Sequence, residues 1–356
     1  MATELKKKLT LPDGTTVDAQ YPVIVSASRS TDIPAFYADW FFHRLDIGYS
    51  EWTNPFNNVP MNVAYTDTRF IIFWSKNPRP LLNHLHKLKE RGIGCYIQYS
   101  LNNYEAEGYE PYVPSWTERI DTFKRLVDKL GKGCVIWRND PLILTDKVGI
   151  DALLLRLEKT GDALKGYTEK LVFSFVDIAC YGKVAKNLKR SGIRYVEWNS
   201  ESMLAFAKEL AKLNQKWGYS LATCAEAIDL DVYGIRHNHC VDEELIARIA
   251  YKDKKLMEYL GLKINILQQT LIGDEKIPEG CIDLGGGRYA MRTKKNKDKG
   301  QRHHCGCIKS KDIGQYNTCK HFCVYCYANA DQKRVLENYK QHQQNPDAAT
   351  ITGSHS

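Results

Sequence analysis

Three of the eleven cysteines in this 356-residue chain fall close together near its carboxyl end, in the run Cys319-Lys-His-Phe-Cys323-Val-Tyr325-Cys326-Tyr-Ala-Asn329. Their C-x3-C-x2-C spacing suits three thiolates gathered around one iron–sulfur cube. Four irons held by only three protein sulfurs leave one iron open, so a small molecule can bind that metal and accept an electron from it. The open iron is what would make the chain an enzyme. A structural zinc ion is the rival occupant, since Cys-x2-Cys with His321, His303 or His304 nearby supplies suitable donors. Zinc-site cysteines usually come as two separated pairs, and a single tight triplet favours iron.

The pattern resembles the cluster motif of the radical S-adenosylmethionine superfamily. The resemblance implies a [4Fe-4S] cluster on Cys319, Cys323 and Cys326 whose open iron chelates the amino and carboxylate groups of S-adenosyl-L-methionine. By the same resemblance Tyr325 lies beside the adenine and Asn329 belongs to the cosubstrate site. An electron donor such as flavodoxin or ferredoxin would reduce the cluster, and the sulfonium would then cleave to a 5'-deoxyadenosyl radical that takes hydrogen from an unreactive carbon. The wider chain is similar to an uncharacterised bacterial family, a domain of unknown function that places this motif last. The likeness runs through Ser26-Ala-Ser-Arg-Ser-Thr-Asp-Ile-Pro34, Trp137-Arg-Asn-Asp-Pro141, Thr223-Cys-Ala-Glu226, Cys305-Gly-Cys307 and Asp312-Ile-Gly-Gln-Tyr-Asn-Thr-Cys319. The usual superfamily layout puts the cluster loop after the first strand. Here it comes last, so either the barrel is permuted or the terminal segment folds back over its mouth, and no glycine-rich strand that would grip the methionine end is evident.

Four further cysteines lie in these segments: Cys224, Cys240, Cys305 and Cys307. Four thiolates complete a [4Fe-4S] site, so a second, auxiliary cluster is an expectation, with Cys281 a rival for the fourth position. Buried thiols are the plainer alternative, and packing is the expected role of Cys95, Cys134 and Cys180.

The elements that must position these residues are legible as short apolar runs. Val23 to Ser26, Phe70 to Trp74, Cys95 to Tyr99, Cys134 to Trp137, Leu171 to Val176, Tyr195 to Trp198 and Leu221 to Cys224 read as buried strands. Helical patterns lie between most of them, at Ala35 to Leu45, Pro80 to Glu90, Trp116 to Leu130, Ile150 to Lys159, Lys183 to Arg190 and Ser202 to Lys216. Gly92, Gly131, Gly161, Gly192 and Gly218 supply stop signals, and Ser115 with Glu118 fits a capping box. Strands alternating with helices demand a parallel sheet, which predicts an α/β fold with a (β/α) barrel, complete or partial; an open doubly wound sheet is the alternative. The expected organisation is a lead-in over 1–20, the barrel over 21–262, a basic and glycine-rich connection over 263–300, the cluster segment over 301–338 and a frayed polar tail over 339–356.

In a parallel barrel the loops after the strands share one face. There the chain carries Arg29, Lys76 and Arg138, a positive rim suited to a carboxylate or phosphate, with Glu226 and Asp177 opposite. Arg29, Lys76, Arg138 and Glu226 are therefore the candidate catalytic residues. Glu197 and Asn199 also read as strand-end polar groups, while Thr31, Asp32 and Asp140 suit caps or turns. Tyr99, Tyr104 and Tyr109 either line the entrance or simply pack.

The 50 Lys and Arg against 42 Asp and Glu leave a net charge of +8, much of it local to Lys6 to Lys8 and to Arg292, Lys294, Lys295, Lys297, Lys299 and Arg302. That basic run could hold phosphate. With Tyr325-Cys326-Tyr327, which is similar to the motif of spore photoproduct lyase, it keeps nucleic-acid lesion repair open as a less favoured reading. A non-catalytic electron carrier or zinc-stabilised binding module is the third. No run approaches a membrane span. The opening residues have no apolar signal core and eleven cysteines cannot all pair, so the expectation is a cytoplasmic protein with reduced thiols.

Overall fold

The computed structural model describes residues 6–354 apart from 56, 268, 271, 272, 275, 302 and 303. His303 and Arg302 of the sequence reading lie outside the described residues. Eight strands form one parallel sheet: Ile24–Ala27 (β1), Phe70–Ser75 (β2), Gly94–Ser100 (β3), Val135–Leu142 (β4), Lys170–Phe175 (β5), Ser220–Thr223 (β6), Ile235–His237 (β7) and Lys311–Asp312 (β8). Their spatial order is β8-β1-β2-β3-β4-β5-β6-β7, and every neighbouring pair is parallel.

That order has no reversal from β1 to β7. Successive right-handed crossovers that step in one direction deliver their helices to one face. Alternate strand residues, among them Val25, Ala27, Ile71, Phe73, Ile97, Val135, Trp137, Leu171 and Phe173, accordingly bury against the crossover helices Ala38–Ile47 (α1), Leu85–Glu90 (α2), Trp116–Leu130 (α3), Ile150–Leu164 (α4), Gly182–Arg190 (α5) and Ser200–Asn214 (α6). The intervening residues Ile24, Phe70, Ile72, Tyr96, Ile136 and Val172 point to the opposite face. They meet Glu243–Ala250 (α7), Lys254–Leu260 (α8) and an antiparallel sheet of Leu262–Ile266, Ile282–Gly285 and Arg288–Arg292. Both faces are thus dry, which is why the strands read as continuous apolar runs. A doubly wound sheet would need the switch in direction that is missing here.

The ladder does not close on itself among the described residues. β7 and β8 are its two edges, and the segments beside them meet through one backbone hydrogen bond, from Ile308 N–H to the Val241 carbonyl at 3.0 Å.

Several elements depart from the sequence reading. Tyr195 to Trp198 is not the sheet strand that its apolar run predicts. Only Tyr195–Val196 is extended, it pairs antiparallel with Leu144–Thr145 outside the main sheet, and both residues are exposed. The apolar signal came from Trp198, whose ring packs 4.7 Å from Phe175. Glu197 and Asn199 therefore do not end a sheet strand, and Asn199 caps α6. After β7 the chain forms α7 and α8, and Asp253 starts α8 by accepting from Leu256 N–H. Beyond Tyr339 the chain is not frayed: the helix Gln332–Gln344 (α9) runs on, Trp40 donates to the Ala348 carbonyl at 2.9 Å, and Ile351 is buried. No helix of the described residues is long and apolar enough to cross a membrane.

Gly161 is not the helix stop that its residue type predicts, since α4 continues through it to Leu164. It is a glycine because Trp217 lies against the helix there: a Cβ would come within 2.7 Å of three ring atoms. Helix propensity alone would make Gly161→Ala stabilising by about 1 kcal/mol. The expected outcome is instead a loss of about 1–3 kcal/mol from overpacking, read as a lower urea midpoint at unchanged slope.

Candidate functional site

The cysteine triplet follows β8, and β8 pairs beside β1 with Lys311 opposite Val25 and Asp312 opposite Ser26. The loop after it is thereby laid across the ends of β1, β2 and β3. Asp312 accepts from Arg29 N–H at 2.9 Å, Thr31 Oγ1 lies 2.7 Å from Thr318 Oγ1, and Tyr37 donates to the Thr318 carbonyl at 2.8 Å. Gly314 passes so close to Ser28 that no Cβ fits. Deeper still, the Asp32 carboxylate accepts from Ala35 N–H at 3.0 Å, Ser75 Oγ at 2.6 Å and Lys76 N–H at 2.8 Å, with His321 Nε2 at 2.8 Å. His321 Nδ1 lies 3.1 Å from the Tyr112 carbonyl. Both ring nitrogens are taken, which removes His321 from any zinc shell in this arrangement.

Cys319, Cys323 and Cys326 are half-buried on this loop, near enough for their charges to interact, and burial pushes all three thiols up. The loop is braced from several sides. Asn329 donates through Nδ2 to the Cys319 carbonyl at 2.7 Å and through its backbone to Cys326 Sγ at 3.4 Å. From α5, Asn187 donates to the Cys326 carbonyl at 3.2 Å and Lys183 to the Tyr327 carbonyl at 3.1 Å. Among the described residues, no three His, Cys, Asp or Glu side chains surround a common point closely enough to hold a single ion. Ligands of a cube need no such convergence, because each binds a different iron.

Lys76 does not stand free on a positive rim. Its Nζ lies 2.7 Å from Glu110 Oε1 and 3.0 Å from the Tyr325 hydroxyl, and the Glu110 side chain is only 3% exposed. Tyr325 also donates to Glu110 and receives from Asn102 Nδ2 at 3.1 Å. Arg119, 1% exposed, approaches Glu110 Oε2 at 3.5 Å. Burial works against the Glu110 charge, yet Lys76 and Arg119 hold its carboxyl down at about 2. Glu110 escaped the sequence reading because it is one carboxylate in a tyrosine-rich loop, with no motif around it. The tyrosines themselves pack: Tyr99 donates to the Arg119 carbonyl, Tyr104 to the Pro141 carbonyl, and the Tyr109 hydroxyl meets Thr145.

Cys224, Cys240, Cys305 and Cys307 do come together, on the face of the sheet opposite α1 to α6. Cys224 Sγ touches Cys240 Sγ at 3.3 Å, Cys307 Sγ accepts from Cys240 N–H at 3.2 Å, and the Cys305 and Cys307 thiols interact. The sulfurs form a chain of neighbours in the order 224, 240, 307, 305. Contacts with Cys224 and Cys307 and, against burial, the Arg138 charge draw Cys240 well below the usual thiol range. Cys281 immediately precedes the strand Ile282–Gly285, and none of the contacts joining these four reaches it. Cys95 and Cys134 are buried in the core, whereas Cys180 is exposed, so packing does not account for it.

Arg138 and Arg29 belong to this second group and not to an open rim. Arg138 donates through Nη1 to Cys240 Sγ at 3.1 Å and to Gln98 Oε1 at 3.2 Å, and pairs through Nη2 with Asp140. Arg29 stacks 5.1 Å over Trp74, and its charge faces Asp312, Cys307, Cys240 and Cys305. Glu226 accepts from Phe175 N–H at 2.9 Å at the end of β5. Burial raises its carboxyl to about 7 despite that bond, with Asp140 and Asp177 adding to the rise. Asp177 itself accepts from Cys180 N–H in a turn. In the basic run, Arg292 is paired with Glu243 at 2.5 Å and with Glu244, so its charge is not offered to phosphate.

No curated protein matches the chain. Residues 24–328, which take in every strand of the sheet and all seven of these cysteines, match one family throughout. The chain belongs to the family described as Domain of unknown function (DUF1848).

Proposed function

We propose that this protein is a radical S-adenosylmethionine enzyme whose [4Fe-4S] cluster is held by Cys319, Cys323 and Cys326. The observation that carries the reading is the place of β8. It is late in sequence but lies at the edge of the sheet, beside β1, so in space the cysteine loop follows the first strand of the array. That is the position the superfamily layout gives it, reached by a permuted connection, and the sheet is then a partial barrel. The residues fit the group: three thiols on one braced loop, with Lys76 beside Cys323 to balance negative charge.

When bound and reduced, the cluster supplies the electron that cleaves S-adenosylmethionine to a 5'-deoxyadenosyl radical. The chain's own residues do the positioning. Tyr325, directly before Cys326, has its hydroxyl tied to Lys76, Glu110 and Asn102, so its ring is a fixed wall for an adenine. Asn329 holds the loop with its amide nitrogen and keeps a buried Oδ1 without a hydrogen-bond partner, an acceptor available to a ligand N–H. The face of the sheet opposite α1 to α6 is covered by residues that follow β7, which keeps water from it. Glu226, at the strand ends with its carboxyl near neutrality, is suited to accept or return a proton. An external flavodoxin- or ferredoxin-type donor would deliver the electron at the exposed side of the loop, and the thiols and low-potential chemistry suit a reducing cytoplasm.

Anaerobically reconstituted and reduced protein should form 5'-deoxyadenosine from S-adenosylmethionine, measured by mass spectrometry. Cys323→Ala should abolish it, and no product from the unaltered chain would overturn the reading. Glu226 gives a second, independent expectation. Its folded-state pKa is raised, so its ionisation costs stability as pH climbs through about 7. Glu226→Gln, which keeps the acceptor for Phe175, should therefore be about 2–3 kcal/mol more stable than the unaltered chain at pH 8. The advantage should shrink steadily towards pH 5, as followed by urea midpoints.

A further inference from the structure

We propose that Cys224, Cys240, Cys305 and Cys307 form a second metal site that takes one tetrahedral, thiophilic ion of the zinc class and clamps the open seam of the sheet. The site does not depend on the loop triplet or on the function assigned to it. Its donors come from three separate places: Cys224 directly after β6, Cys240 shortly after β7, and Cys305 with Cys307 ahead of β8. Nothing but a shared ligand or tight packing would hold such thiols in mutual contact. Packing alone leaves two of their features unexplained.

The first is spacing. The Cys224 and Cys240 sulfurs are 3.3 Å apart. A tetrahedron with metal–sulfur bonds of about 2.3 Å has edges of about 3.8 Å, close to that contact. A cube binds its four thiolates at four separate corners, which sets them farther apart. The contact therefore favours a single ion over the auxiliary cluster that four cysteines suggest in sequence. No three of these sulfurs yet surround a common point; they run as a chain, and loading would have to draw them into a shell.

The second is charge. Four thiolates around a divalent ion leave a net charge of −2, and two arginines stand against the group, Arg138 buried and Arg29 half-buried. Arg138 contacts Cys240 Sγ at 3.1 Å, and the Arg29 charge faces Cys240, Cys305 and Cys307. Each guanidinium has one carboxylate partner, Asp140 for Arg138 and Asp312 for Arg29, yet both also stand against the sulfurs, a placement that neutral thiols would not favour.

The location gives the ion a role. Among the described residues β7 and β8 are unpaired edges, and one backbone-to-backbone hydrogen bond, Ile308 to Val241, spans the gap beside them, with the Cys240 and Val241 N–H groups donating to Cys307 Sγ. Cys240 and Cys307 lie one residue before each end of that bond, 67 residues apart in sequence. The strands approach closely there, since a Cβ on Gly306 would overlap the His239 ring. An ion bridging the four thiolates closes this long loop and fixes β8, on which the triplet loop depends.

The test uses the full chain carrying Cys319→Ser, Cys323→Ser and Cys326→Ser together, grown with zinc and iron, with metal and inorganic sulfide counted per chain. About one zinc or one iron without sulfide, released by chelation with a fall in Tm, is the expected result. Adding Cys240→Ser should reduce the metal to near zero. Because that variant could misfold, cobalt(II) titration of the triple variant is the second measurement, and intense thiolate-to-metal bands with tetrahedral d–d absorption are expected. No bound metal, about four irons with four sulfides, or a weak octahedral cobalt spectrum would each overturn the proposal.

Discussion

The buried carboxylate of Asp32 is the interaction on which the site depends. It gathers donors from the helical turn after β1, from the end of β2 and from the cysteine loop, and so ties three chain segments that are far apart in sequence to one point. Burial opposes its charge, yet His321, Ser75 and the Lys76 amide keep the carboxyl below its ordinary range. Hydrogen bonds to a charged group are worth about 1.5–3 kcal/mol each, and leaving such a group unpaired costs more. The loop carrying Cys319, Cys323 and Cys326 is therefore anchored from beneath through His321 while β8 anchors its start.

Arg29 joins the two cysteine groups. Its backbone N–H is held by Asp312, its carbonyl receives the Tyr327 hydroxyl from the triplet loop, and its guanidinium turns towards Cys240, Cys305 and Cys307. A change at either group would be felt at the other through one residue. Lys76 plays a comparable part on the opposite side, where Glu110 and Tyr325 fix it beside Cys323. These basic residues are spent on organising the interior, not on presenting charge at a rim.

Much of the fold was legible because six strands of the sheet are buried on both sides and advertise it with unbroken apolar runs such as Phe70-Ile-Ile-Phe-Trp74. The two edge strands were not legible. Ile235-Arg-His237 and Lys311-Asp312 are short and polar, and they are strands only because a neighbour offers hydrogen bonds. Missing β8 hid the reason the last motif in sequence is first in space. The convergence of Cys224, Cys240, Cys305 and Cys307 could be suspected from number and residue type. Which charges pair across the interior could not, since Lys76–Glu110 and Arg138–Cys240 join segments brought together by topology and not by any local pattern.

The central claim is that three thiolates leave one iron of a cube open to a small ligand. Electron paramagnetic resonance of the anaerobically reconstituted, dithionite-reduced protein, with and without S-adenosylmethionine, tests it most directly. The expected result is the signal of a reduced [4Fe-4S] cluster that changes shape when S-adenosylmethionine is added and is absent from the Cys319→Ser, Cys323→Ser, Cys326→Ser variant. A cluster signal indifferent to S-adenosylmethionine, or one that survives loss of the three cysteines, would contradict it.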